Sequence, residues 1–86
     1  MKYIHVISAT DSSGGAGLQQ DIRTAHECGY WIISSVTGIT AQGFTGVVET
    51  FPSPVKLFER QLDLSAHYPL AAVKIGALFS MDQLEA

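Results

Sequence analysis

A glycine-rich stretch between an apolar run and a helical pattern sets the strongest limit on the fold of this chain. Ala9-Thr10-Asp11-Ser12-Ser13-Gly14-Gly15-Ala16-Gly17 follows Tyr3-Ile4-His5-Val6-Ile7 and precedes a helical periodicity that begins near Ala16. Such a loop exposes backbone N–H groups at the positive end of a helix dipole, where a phosphate or a polar ring can bind. Its glycines let the backbone approach a ligand closely, because no Cβ intervenes. A flexible strand-to-helix turn is the plainer alternative. Two general phosphate loops are excluded. A P-loop needs a lysine directly after its glycines, and no lysine lies between Lys2 and Lys56. The dinucleotide fingerprint needs a spacing that Gly14, Gly15 and Gly17 do not have.

The segments that follow alternate. Leu18, Ile22, Ala25 and Gly29 recur on one helical face, and Gly29 is placed to end that helix in a left-handed cap. The apolar residues from Trp31 onward predict a strand over 31–38, closed by a turn at Gly43 and Gly46. Residues 47–51 read as a short strand or an extended connection. Ser53 as N-cap and Pro54 at the first helical position open a second helix, with Val55, Phe58 and Leu62 on its apolar face. Residues 71–76 predict a short buried strand, and Ser80 with Gln83 predicts a capping box. The pattern β-α-β-(β)-α-β-α specifies an α/β fold with a mostly parallel sheet flanked by helices. Ligands of such sheets sit beyond the carboxyl ends of the strands. Residues 10–17, 40–46 and 76–80 converge there.

Composition narrows the function. A formal charge of −3 with no lysine or arginine cluster argues against nucleic acid. No apolar run approaches the roughly 20 residues of a membrane span. Cys28 is the only cysteine, so a disulfide framework is excluded and a cytoplasmic location is expected. It reads as a core or boundary residue. The histidines show no metal-ligand spacing, and no metal site is expected. His5, inside the first strand, reads as structural.

Within the loops, Asp11 can cap the following helix, hold a metal or accept a hydrogen bond from a ligand. Gln42, just past a strand end, offers a donor and an acceptor to the edge of an aminopyrimidine, or is an exposed turn residue. Lys74 lies in an apolar strand run and must reach a carboxylate or the sheet edge. No nucleophile with an adjacent base is apparent.

Four motifs carry a resemblance. Residues 9–21 are similar to the A-G-S/T-D-x-S-G-G-A-G-I/L-Q-A-D opening of hydroxymethylpyrimidine/phosphomethylpyrimidine kinases. The segment from Thr37 to Gln42 resembles their T-A-x-x-A-Q. Gln61-Leu62-Asp63 resembles their Q-L-D, and Val73-Lys74-Ile75-Gly76 with Leu78 their V-K-I-G-M-L. The resemblance implies a ribokinase-like fold, with residues 1–86 as the N-terminal part of one kinase domain of roughly 250 residues. It further implies ATP-dependent phosphorylation of hydroxymethylpyrimidine and its phosphate in thiamine biosynthesis, with ATP and Mg2+ bound outside this segment, and a homodimer. Carried over, Gln42 binds the aminopyrimidine edge, the Ala16 backbone borders the substrate, Asp11 shapes the pocket, and Thr40 and Ala77 line it. The catalytic base is expected in the C-terminal part. Ala9 replaces a family glycine, and Ala77 replaces a family methionine. The second change opens the pocket to a pyridoxine-type ring, so a related vitamin kinase is one alternative. A non-catalytic truncated binding module is another.

Overall fold

A computed structural model describes residues 2–86. Its elements are β1 (Lys2–Ser8), α1 (Gly17–Glu27), β2 (Tyr30–Val36), β3 (Gly38–Gly43), β4 (Gly46–Pro52), α2 (Val55–Ser65), β5 (Leu70–Ile75) and α3 (Met81–Glu85). Three strands form a parallel sheet in the order β2-β1-β5, and β3 pairs with β4 as an antiparallel hairpin. The expected α/β architecture, mostly parallel and flanked by helices, is present.

β1 is the central strand, which explains its apolar, β-branched sequence. Val6 and His5 are buried, and His5 Nε2 lies 2.8 Å from the Ser35 hydroxyl. The crossover through α1 leads from β1 to β2, and the crossover through α2 leads back across β1 to β5. Right-handed connections in opposite directions put α1 and α2 on opposite faces of the sheet. Leu18 and Ala25 seat α1, and Phe58, 1% exposed, seats α2. The strand order therefore reverses at β1, and the crevice at its carboxyl end is a topological switch point.

Several elements depart from the sequence reading. The strand expected over 31–38 ends at Val36, and a second begins at Gly38. Thr37 makes the break. Its N–H donates to Ser8 O at 2.9 Å, its hydroxyl to Ala77 O at 2.7 Å, and its carbonyl accepts from Ser53 N and Gln83 Nε2. These partners redirect the chain out of the parallel sheet. Gln42 consequently lies within β3, not just past the end of the second strand. Residues 47–51 belong to a full strand, joined to β3 through the two-residue turn Phe44-Thr45.

The α2 N-cap is Pro54, with an extended ψ of 132°, and Ser53 makes no capping bond. The reason is that the Ser53 N–H is already held by Thr37 O at 2.9 Å, which keeps the chain extended for one further residue. β5 is an edge strand and largely exposed, where burial was expected. Cys28 is exposed as well, because it caps the open end of α1 instead of facing the core. Gly29 takes a φ of 82° after that cap, as expected. The predicted capping box forms by half. Ser80 Oγ accepts from Gln83 N at 3.1 Å, but Gln83 Oε1 accepts from Phe79 N and its Nε2 donates to Thr37 O.

Candidate functional site

The glycine-rich loop binds a carboxylate of its own. Asp11 is 2% exposed. Its Oδ1 accepts from Ser13 N at 2.8 Å and Ser13 Oγ at 2.7 Å, and its Oδ2 accepts from Ala16 N at 2.8 Å. The Gln19 amide clamps the Asp11 backbone from the other side, donating to its carbonyl at 2.6 Å and accepting from its N–H at 2.8 Å. The Ser13 hydroxyl holds the Asp11 carboxyl below its ordinary pKa; burial opposes this and the amides of Ser13, Ala16 and Gly15 assist. The amides that could have received a phosphate are thus occupied by the chain itself. Asp11 shapes the loop from inside, and Ala16 lies exposed at the base of α1.

The loop must also dock on the end of β1, and Gly17 makes that possible. It has a φ of 60°, and a Cβ there would stand 2.6 Å from Ala9 O. The same carbonyl accepts from Leu18 N at 2.9 Å. No L side chain fits that close approach.

The hairpin is stitched to the loop. Thr10 N donates to Gly38 O at 3.1 Å, and the Thr40 hydroxyl donates to Thr10 O at 2.7 Å. The Ser12 hydroxyl donates to Gln42 O and accepts from Gln42 N. Gln42 Nε2 donates to the Thr40 hydroxyl at 2.6 Å, which fixes the amide plane. The Gln42 Oε1 takes no hydrogen bond from the described residues and remains an acceptor for a ligand.

These bonds, with the β5 end, enclose a crevice of about 330 Å³ beyond the carboxyl ends of β1 and β5. Its walls include Thr10, Gly17, Thr40, Gln42, Gly76 and Ala77. That volume matches a small organic ligand. Of the residues expected at a site, Gln42, Thr40 and Ala77 are brought together here. Asp11 and Ala16 belong to the loop and are not among the crevice's lining residues. Asp21 and Lys74 also line it and are ion-paired. Lys74 therefore reaches a carboxylate, as its place in an apolar run required. Sequence reading assigned no site role to Asp21, because nothing in a helical periodicity marks which polar residue faces a strand end.

A larger cavity of about 540 Å³ lies on the α1 face of the sheet, among Ile4, Val6, Ala25, Ile32 and Ala72. Its walls are mostly apolar, and the Asp21–Lys74 pair lines both this cavity and the crevice. Among the described residues, no three of His, Cys, Asp and Glu cluster to hold a metal ion. No described helix is long and apolar enough to cross a membrane.

A family profile described as phosphomethylpyrimidine kinase matches residues 11–86. The chain is 35% identical to the hydroxymethylpyrimidine/phosphomethylpyrimidine kinase of Haemophilus influenzae, over 99% of its own length and 32% of that protein's. Its fold superposes on the crystal structure of a phosphomethylpyrimidine kinase from Clostridium difficile with a TM-score of 0.91, at 34% identity, covering 99% of this chain and 37% of that one. The ADP complex of a Bacillus subtilis pyridoxal kinase gives 0.90 at 30% identity, covering 99% and 34%. The architecture is thus ribokinase-like. The chain spans about a third of the length of the curated relatives it matches.

Proposed function

We propose that this chain, which belongs to the phosphomethylpyrimidine kinase family, supplies the substrate-binding side of a kinase that phosphorylates hydroxymethylpyrimidine and its phosphate in thiamine biosynthesis. The observation that carries this reading is the crevice at the switch point, with the free Gln42 Oε1 beside Thr40 and Ala77. An aminopyrimidine presents an amino donor next to a ring-nitrogen acceptor. The Gln42 amide matches that edge, its oxygen accepting from the amino group. The Thr40 hydroxyl, itself donating to Thr10 O, keeps the amide from rotating. Pre-set geometry of this kind lowers the entropic cost of binding.

ATP supplies the phosphoryl group, and its Mg2+ and phosphates are held by the remainder of the protein. The residues described here do the holding of the alcohol. Phosphoryl transfer depends on positioning and on stabilising the transferring group, and this crevice answers to the first of these. The net charge of −3 fits a small-molecule substrate better than a nucleic acid. The exposed Val47, Val48 and Phe51 of β4 are consistent with a homodimer of the complete protein.

A pyridoxal-type ring is the second reading. It is favoured by the small Ala77 side chain at the crevice wall and by the close fit of the fold to a pyridoxal kinase. One experiment addresses both: ATP-dependent phosphorylation of hydroxymethylpyrimidine and of pyridoxal by the complete protein, with and without Gln42→Ala. We expect the variant to lose on the order of 1 kcal/mol of pyrimidine affinity while its melting temperature holds. Unchanged affinity would remove Gln42 from the site, and no turnover of either ring would overturn the kinase reading.

A further inference from the structure

Asp21 lies in the second turn of α1, and Lys74 lies near the end of β5, on the sheet face that α1 covers. Lys74 Nζ is hydrogen-bonded and ion-paired to Asp21 Oδ1. The two partners differ in exposure: the Lys74 side chain is 59% accessible and that of Asp21 only 13%. Asp21 Oδ2 is buried without a hydrogen-bond partner. For folding alone this is a poor arrangement. A lysine–carboxylate pair whose ammonium is exposed contributes little, and a buried, unpaired carboxylate oxygen is costly. Local rules broken in this way point to sites of function.

The pair lines the same crevice as Thr40, Gln42 and Ala77, and Lys74 is the only cationic side chain among the crevice's described walls. An ammonium has three donors. One is directed to Asp21, and the exposed head keeps the others for the crevice. Gln42, on β3, and Lys74, on β5, line the same crevice. A flat ring held at one edge by Gln42 would present its other acceptors toward β5.

Resting on the assignment of this crevice to a ring-bearing alcohol, we propose that Lys74 is a ligand-binding residue and Asp21 its positioning residue. The Lys74 ammonium donates to an acceptor of the bound heteroaromatic alcohol, a ring nitrogen or the hydroxymethyl oxygen. Asp21 draws the flexible lysine stem back along α1, so that the head is set at the crevice wall before the ligand arrives.

The test uses the complete protein and calorimetric titration with hydroxymethylpyrimidine and with pyridoxal. Lys74→Met is expected to raise the Kd of the ring that binds by about tenfold or more, as for a lost hydrogen bond from a charged group. Lys74→Arg is expected to recover part of that loss. Asp21→Asn should raise KM for the ring and leave KM for ATP unchanged, a split that a merely structural role would not produce. A second measurement needs no variant: the ring should protect Lys74, but not Lys56 on α2, from an amine-modifying reagent. Ring binding that survives Lys74→Met, or equal modification of Lys74 with and without ring, overturns this inference alone. A wild-type protein that binds neither ring overturns the proposed function, and this inference with it.

Discussion

At the scale of single residues, Ala77 and His5 show how one side chain sets selectivity or pH response. Ala77 is exposed at the wall of a crevice of about 330 Å³. A methionine there would fill space that a larger ring needs. Ala77→Met is expected to shift the ratio of kcat/KM values toward hydroxymethylpyrimidine over pyridoxal by about tenfold, the scale of steric discrimination in an apolar pocket. Equal ratios before and after would place Ala77 outside the contact. His5 is 4% exposed, and burial lowers its pKa. The folded protein therefore binds a proton at His5 less readily than the unfolded chain does. In the window from the ordinary histidine value, about 6.5, down to the lowered one, the unfolded state carries more protons. Stability is then full above that window and falls as the pH drops through it. Urea midpoints of the complete protein measured between about pH 7.5 and 5 should show this slope, and His5→Gln should flatten it. An unchanged slope in the variant would assign the effect elsewhere.

At the scale of elements, the loop between β1 and α1 depends on Gly17. Gly17→Ala places a Cβ 2.6 Å from Ala9 O in a left-handed conformation. The backbone conformation alone costs about 1–3 kcal/mol, and the clash adds to it. Gly43→Ala, with no atom within 4 Å of its Cβ and no positive φ, is the control and should change stability by about 0.5 kcal/mol or less. Similar losses in the two variants, read from denaturant midpoints, would refute the close approach.

The same elements show what a sequence discloses. Periodicity disclosed α1, α2, β1 and β5, and alternation disclosed the parallel core, because burial writes those patterns directly. The break at Thr37 was hidden. It rests on partners at Ser8, Ser53, Ala77 and Gln83, and such long-range bonds leave no local mark. The site was partly legible. The strand-end rule picked out the segments that hold Thr40, Gln42 and Ala77. It did not reveal that Asp11 would turn inward, or that Asp21 would reach Lys74 from a helix.

At the scale of the whole molecule, the 86 residues form a thin slab, with Cα extents of 37 × 30 × 14 Å. The accessible surface is 5691 Å². A compact monomer of 9.2 kDa should expose about 4,900 Å². Much of the excess is apolar. Ile39, Val48 and Phe51 are exposed on the hairpin, and Val73 and Ile75 on the outer strand β5. Among the larger apolar side chains of the described residues, only Val6, Leu18 and Phe58 are buried. β2 and β5 are both edges of the sheet, and an edge strand with apolar side chains is a template for further pairing. A core this small also leaves little to offset the conformational entropy of ordering the chain. We therefore expect residues 1–86, expressed alone, to self-associate and to melt without a sharp transition. They should also show no phosphoryl transfer from ATP to either ring, because the loop amides that could receive a phosphate are directed to Asp11. Sedimentation and calorimetry test the first expectation, and a monomer with a single cooperative transition would refute it. Turnover measured on the same sample tests the second, and activity abolished by Gln42→Ala would show that this crevice holds a complete catalytic site.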